Sequence, residues 1–356
     1  MATDASTPAS YAPQLDGLRA VAVVAVAWSH WLPAWQFGLP LGAGVHLFFV
    51  LSGFLITRIL LDLRRVPRRV PAIGRFYVRR ALRLFPAFFL VLGVAAWAAV
   101  PLVRETWPWH AAYLSNVFVA REARWQGHVS HFWSLAVEEQ FYLVWPWLIV
   151  FVPARWLGAV VAGTVVLGPL ARLAAAARGL GEPFWALVPG GSADSLGLGA
   201  WVALDAATRR DGRPPLAARP WVALTAAALW VGLAVAEGQG SLPAVVTVWR
   251  QAVQGVVFAW IVSRAAAGFA GVVGRGLAHP VSVGIGRISY GLYLIHAFAP
   301  VVVFAAARAL AVEAWLPASI GARTALYAAT SLVLAGLMWR WVEQPVLARK
   351  SRVPYV

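Results

Sequence analysis

Glu138 and Glu139 stand side by side in the run FWSLAVEEQFYLVWPW at 132–147, among eleven apolar residues. A carboxylate in such surroundings is costly to desolvate unless it is paired or hydrogen-bonded. On a helix, His131, Ser134, Glu138, Tyr142 and Trp145 form one stripe, while Glu139 points about 100° away. A carboxylate beside a His, a Ser and a Tyr can hold a proton or orient a base, and it can equally join two helices. Glu139 is expected to pair with a cation from a neighbouring helix.

Two further groups carry reactive types. Arg19 and His30 are eleven residues apart, which puts them on one helix face about 16 Å apart along the axis. Histidine takes and returns a proton near neutral pH. The plainer reading of His30 is a hydrogen-bonded residue at a helix end. The segment RFYVRRALRLFP at 75–86 spaces Arg75, Arg79 and Arg83 four apart, and Arg80 and Arg83 three apart. A helix gathers these guanidinium forks on one side, where they match phosphate oxygens. An Arg-rich helix end is also what membrane topology requires.

Other chemistries fall away. The chain has no cysteine, which removes thiol catalysis, thiolate metal sites and disulfides. His128 and His131 are three apart but have no second ligand pair, so no metal is expected. GIGRISYG from Gly284 lacks the third glycine of a dinucleotide fingerprint, and no GxSxG elbow occurs. Ser52 and Gly53 are read as allowing close helix packing.

The elements that hold these residues are legible in the hydropathy pattern. Of 356 residues, 61% are apolar and only 12% are charged. The apolar residues recur in runs near the length that crosses a bilayer. Ten spans are expected, at 16–35, 41–62, 84–103, 131–152, 156–176, 186–204, 220–236, 245–263, 288–308 and 322–342. The fold class is all-α: a polytopic membrane bundle of about ten transmembrane helices. With the N-terminus in the cytoplasm, 22 of the 30 Lys and Arg fall on cytoplasmic segments. Both termini are therefore expected there, in a multi-pass protein of the inner (cytoplasmic) membrane. The formal charge of +16 thus reflects topology and lipid contact, not nucleic acid, because no hydrophilic segment forms a basic domain. The Trp-rich segment 104–131 suits the membrane surface. No basic region precedes the first run, so a retained helix is expected rather than a cleaved signal. The expected division is a tail at 1–15, a membrane domain at 16–342 and a tail at 343–356.

Taken in order, YAPQLDGLR, His30, GAGVHLFFVLSGFLIT, FYVRRALRLFP, FWSLAVEEQFY, ADSLGLGA, GRISYGLYLIH and WVEQP resemble the acyltransferase 3 family of membrane O-acyltransferases. The resemblance implies transfer of an acyl group, usually acetyl, from acyl-CoA to a hydroxyl of a sugar-containing acceptor. Acyl-CoA would be a co-substrate, with no bound cofactor. By the same resemblance, His30 corresponds to the catalytic His, Arg19 to the Arg of the first helix, Arg80 and Arg83 to the paired-Arg motif, and Glu138 to the motif Glu. His30 would serve as base and Glu138 would orient it or hold its imidazolium. Arg80 and Arg83 would hold CoA phosphates. Arg19 would serve CoA or the oxyanion. The family's second, hydrolase-like domain is not expected after 342. The segment before Asp194, Gly191-Ser192-Ala193, departs from the family pattern and is not expected to bind substrate. The competing class is a transporter with an Arg- and Glu-lined path, which predicts inverted repeats that the sequence does not display.

Overall fold

A computed structural model describes residues 12–33, 40–208, 219–238 and 242–354. It is a helical membrane bundle, with no strand among the described residues. In chain order the helices are α1 (Pro13–Trp31), α2 (Gly44–Leu63), α3 (Arg69–Trp97), α4 (Val103–Ala111), α5 (Ser115–Glu122) and α6 (Phe132–Phe151). There follow α7 (Leu157–Ala177), α8 (Ala193–Thr208), α9 (Pro220–Gly238), α10 (Ala244–Thr247) and α11 (Arg250–Ala267). The last are α12 (Gly271–Ala278), α13 (Pro280–Arg287), α14 (Ser289–Ile295), α15 (Ala299–Ala309), α16 (Ile320–Met338) and α17 (Gln344–Ala348).

Seven helical stretches among the described residues are long and apolar enough to cross a membrane. The other three expected spans coincide with α1, α6 and α8. The first two carry the polar residues singled out above. With 16 residues, α8 reaches only about 24 Å, short of a hydrocarbon core of about 30 Å.

Helix α3 begins at Arg69, well before the span expected from 84. Pro71 lies in its first turn, where an N–H is not needed. Arg75, Arg79, Arg80 and Arg83 therefore ride on the same rod as the apolar segment. Two crossings fix the helices around them. At Gly53 a methyl group would overlap the Leu196 carbonyl, and at Gly199 it would overlap that of Val50, so α2 and α8 touch backbone to backbone. Gly17 and Gly286 likewise let α1 lie against α12 and α13. Glycine is the residue that permits such approach.

The span expected at 288–308 is broken. A 3-10 turn at His296–Phe298 separates α14 from α15. Pro300 has no N–H to offer the His296 carbonyl, the partner four residues back. The Ala299 N–H closes a 3-10 turn on that oxygen, and Trp31 Nε1 donates to it as well, at 3.0 Å. His128 Nδ1 donates to the Ala297 oxygen at 2.8 Å.

The Trp-rich segment folds as α4, α5 and a short turn at Gly127–Val129. Gln140 of α6 fastens it, donating to the Tyr113 carbonyl and to Asn116 Oδ1 at 2.9 and 2.8 Å. His110 lies buried between Thr106 and Ser115 (3.1 and 2.8 Å), and burial pushes its imidazole down to about 4. Beyond α16 the chain makes a π turn, then α17, then a 3-10 turn at Arg349–Arg352. This segment, expected as a tail, lies against α3: Arg79 donates to the carbonyls of Lys350 and Val353 at 2.9 and 2.8 Å.

Candidate active site

Two cavities share a wall. The first, of about 80 Å³, lies at the Arg-bearing end of α1 and α3 and is lined by Arg19, Ser52, Arg80, Arg83, Glu138 and Tyr290 among others. The second, of about 400 Å³, is lined by His30, Trp31, Trp125, His128, His131 and Trp133 among others. Val45 and Tyr293 line both. Both side chains are buried, at 8% and 5% exposure, so they form the partition itself.

In the first cavity the guanidinium of Arg80 stands 3.8 Å above the Tyr142 ring. Its nitrogens approach Glu138 at 4.0 Å and Glu139 at 3.8 Å. Glu138 Oε1 accepts a hydrogen bond from Ser52 of α2 at 2.6 Å. Arg19 is paired with Asp16 at 2.9 Å. Arg83 has no carboxylate within 4.0 Å among the described residues, so its fork is the least tightly paired of the three, with Glu343 and Asp16 acting on it from farther away. Nearby, burial and then Arg83, Arg79 and Arg80 bring the Lys350 ammonium down to about 8. Three guanidinium groups round one small hollow make a receptor for an anion.

The second cavity holds a histidine cluster. His30, exposed to the cavity, lies with Nδ1 2.8 Å from Nε2 of the fully buried His296. The two rings are nearly parallel, at 11°. His296 Nδ1 is 2.7 Å from the Tyr293 carbonyl. The His131 ring stands 5.0 Å from that of His296 at a steep angle. Below it, Ser134 Oγ and Tyr293 Oη are 2.6 Å apart, and both also reach the His131 carbonyl at 3.1 Å.

The structure thus gathers Arg19, Arg80, Arg83 and Glu138 in one cavity and sets His30 in the other. The expected pairing of Glu138 with His30 is not made. Glu138 lies seven residues beyond His131, about 10 Å along the helix, and Ser52 and Arg80 are its partners. The polar stripe of α6 exists, but it serves different neighbours along its length: Trp145 donates to Thr57 of α2 at 2.8 Å. Glu139 faces Arg80, a cation of a neighbouring helix, as its angle on α6 implied.

Three residues of these cavities escaped sequence reasoning: Ser52, Tyr293 and His296. Their signal was present, since each is a polar group inside a quoted motif. A fourth feature also escaped. Arg172 of α7 is buried against Asp194 of α8 at 2.7 Å and donates to the Val248 carbonyl at 2.9 Å. It also donates to the Gly191 carbonyl at 2.5 Å. Asp194 accepts from Ser195 N at 2.9 Å and from Gln251 at 3.2 Å. This pair locks α7, α8 and α11 together and lines neither of the two cavities.

Comparison with known proteins bears on this arrangement. The family model described as an acyltransferase domain matches residues 13–340. A peptidoglycan O-acetyltransferase of Listeria monocytogenes is 36% identical over 162 residues, covering 41% of this chain and 25% of that protein. A Staphylococcus aureus protein provisionally named an O-acetyltransferase is 37% identical over 153 residues, covering 39% and 25%. A Bacillus subtilis protein provisionally named a peptidoglycan O-acetyltransferase is 36% identical over 162 residues, covering 39% and 24%. The matched region is about a quarter of the length of each of these relatives. No solved structure matches the chain.

Proposed function

The chain belongs to the acyltransferase domain family, and on that premise we propose that it moves an acetyl group from acyl-CoA to a hydroxyl of a sugar-containing acceptor across the Val45–Tyr293 partition. The observation that carries this reading is the pair of cavities, one cationic and one histidine-lined, that meet at two side chains. The cationic cavity faces the cytoplasm, where acyl-CoA is made, with both termini on that side. At about 80 Å³ it is too small to take the whole of CoA, so the adenosine end lies outside it. Arg83, Arg80 and Arg19 take the phosphates. Glu138, held by Ser52, sets the guanidinium of Arg80 rather than the imidazole of His30.

The larger cavity opens to the other face and admits a sugar between its tryptophans. An acceptor hydroxyl beside His30 gives up its proton to the imidazole as its oxygen attacks the thioester carbonyl. The tetrahedral intermediate collapses, the C–S bond breaks, and the departing CoA sulfur takes the proton back from His30. The ester stays with the acceptor on the outer face.

The test uses purified protein in liposomes, labelled acetyl-CoA on the Arg side and a glycan acceptor on the other. Labelled ester in the glycan, abolished in His30→Ala, is the expected result. No acetyl-CoA turnover by folded protein would overturn the donor, and undiminished transfer by His30→Ala would overturn the base.

A further inference from the structure

We propose that His296 is the positioning residue that fixes the tautomer of His30, leaving its Nε2 unprotonated toward the second cavity. The inference rests on His30 acting as the base.

The hydrogen-bond chain decides the protons. A carbonyl oxygen only accepts, so His296 Nδ1, 2.7 Å from the Tyr293 oxygen, carries a hydrogen. His296 is fully buried, and no carboxylate lies within 4.0 Å of it among the described residues. The His131 ring, 5.0 Å away, supplies no negative charge either. A buried imidazole without a counter-charge is neutral, so His296 Nε2 is a bare acceptor. His30 Nδ1, 2.8 Å from it, must then be the donor. The ring centroids are 5.0 Å apart with the nitrogens at 2.8 Å, so two parallel rings lie nearly end to end and the bond runs close to the plane of both imidazoles, where nitrogen lone pairs and hydrogens point. His30 therefore carries its one hydrogen on Nδ1, and its basic lone pair sits on Nε2.

The backbone around His296 is arranged to hold this polarity. Pro300 cannot donate to the His296 carbonyl, which accepts instead from Ala299 N–H in the 3-10 turn and from Trp31 of α1 at 3.0 Å. The helix that carries His30 is thus fastened, through the next residue, to the backbone of His296. When His30 takes the acceptor proton on Nε2, the Nδ1 hydrogen is drawn toward His296 Nε2, and the positive charge spreads over two rings in a site without a carboxylate. No atom is gained or lost in this sharing, and the proton returns to the leaving sulfur by the same route.

Substitutions that differ in acceptor and donor character test the assignment. Gln at 296 can place its amide oxygen near the former Nε2, whereas Leu offers nothing and Arg offers only hydrogens. His296→Gln should keep kcat within about tenfold of the parent, while His296→Leu and His296→Arg should lose about 100-fold or more. The KM for acetyl-CoA should stay within about threefold in all three, since the donor cavity is untouched. Nitrogen-15 NMR of histidine-labelled parent protein, assigned by difference with His30→Ala, should show His30 protonated at Nδ1 and bare at Nε2. In His296→Leu the Nε2–H form should appear. A His30 protonated at Nε2 in the parent would overturn the inference, as would a folded His296→Leu or His296→Arg enzyme with full kcat. If His30→Ala is itself fully active, the base assignment fails instead, and the NMR tautomer still decides what His296 does.

Discussion

Arg83 and Arg80 lie three residues apart on α3, yet their replacement should weigh differently on binding and on stability. Arg80 stands between two carboxylates at 3.8 and 4.0 Å and over the Tyr142 ring. Arg80→Ala leaves Glu138 and Glu139 in a largely enclosed site without their cation. Stranding one member of a buried pair costs about 3–5 kcal/mol, and these contacts are long, so about 3 kcal/mol is expected. Arg83 has no carboxylate within 4.0 Å among the described residues, but the buried Glu343 feels its charge from farther off, so Arg83→Ala strands one carboxylate at longer range. Its loss is that of a charge-assisted contact to the donor, about 1.5–3 kcal/mol, or roughly 10- to 150-fold in Kd. Arg83→Lys should recover only part of this, because the ammonium lacks the fork. Calorimetric titration of purified variants with acetyl-CoA, alongside thermal melting, separates the two. Arg83→Ala should bind weakly and melt only a little lower than the parent, because Glu343 loses a distant counter-charge, whereas Arg80→Ala, which strands two nearby carboxylates, should melt lower still. A folded Arg83→Ala protein that binds acetyl-CoA within twofold of the parent would refute the assignment of this cavity to the donor.

Three other outcomes follow from the same geometry. Val45→Ala thins the partition, and at about 0.8 kcal/mol per methylene the preference for acetyl- over propionyl-CoA should fall about fourfold in kcat/KM; an unchanged ratio would mean that Val45 does not border the acyl group. Arg172→Met should cost about 3 kcal/mol or more by stranding Asp194, and adding Asp194→Asn should restore part of the folded yield; equal yields of the single and double variants would deny the pair its structural role. The chain has no cysteine, so a membrane-impermeant thiol reagent applied to intact cells should label a Glu122→Cys variant and spare Pro67→Cys. Labelling at position 67 would reverse the proposed orientation.

The helical membrane class was written in the length and spacing of the apolar runs, and the candidate residues stood out because polar groups in such runs are costly. What the pattern cannot carry is the neighbour. Periodicity placed Glu138 on a stripe with His131 and Ser134, correctly for the face of α6. It could not tell that α2 and α3 meet that face at Glu138, while the turn after α14 meets it at His131. Ser52 was read as a packing residue for the same reason: the sequence says that a small side chain is there, not that a carboxylate lies opposite. Gly53, next to it, does serve packing, because the lack of a Cβ matters whatever the neighbour. His296 was hidden by the expectation of an unbroken span at 288–308. A proline four residues after a histidine was the available clue, since it denies that histidine's carbonyl its α-helical donor. The arginine segment at 75–86 was read as helical, but its continuity with the span from 84 was missed, because Arg residues interrupt hydropathy without interrupting a helix.

On the proposed orientation, the Val45–Tyr293 partition is also an electrical insulator. Each elementary charge carried across a membrane exchanges about 2.3 kcal/mol per 100 mV with the field. Two water-accessible cavities concentrate most of that field across the thin layer between them. An open passage there would let ions run down the gradient, so the layer must stay closed whenever no acyl arm fills it. The proton that returns from His30 to the departing sulfur crosses this same layer. Turnover in proteoliposomes should therefore rise or fall with an imposed potential, although neither substrate is itself transported.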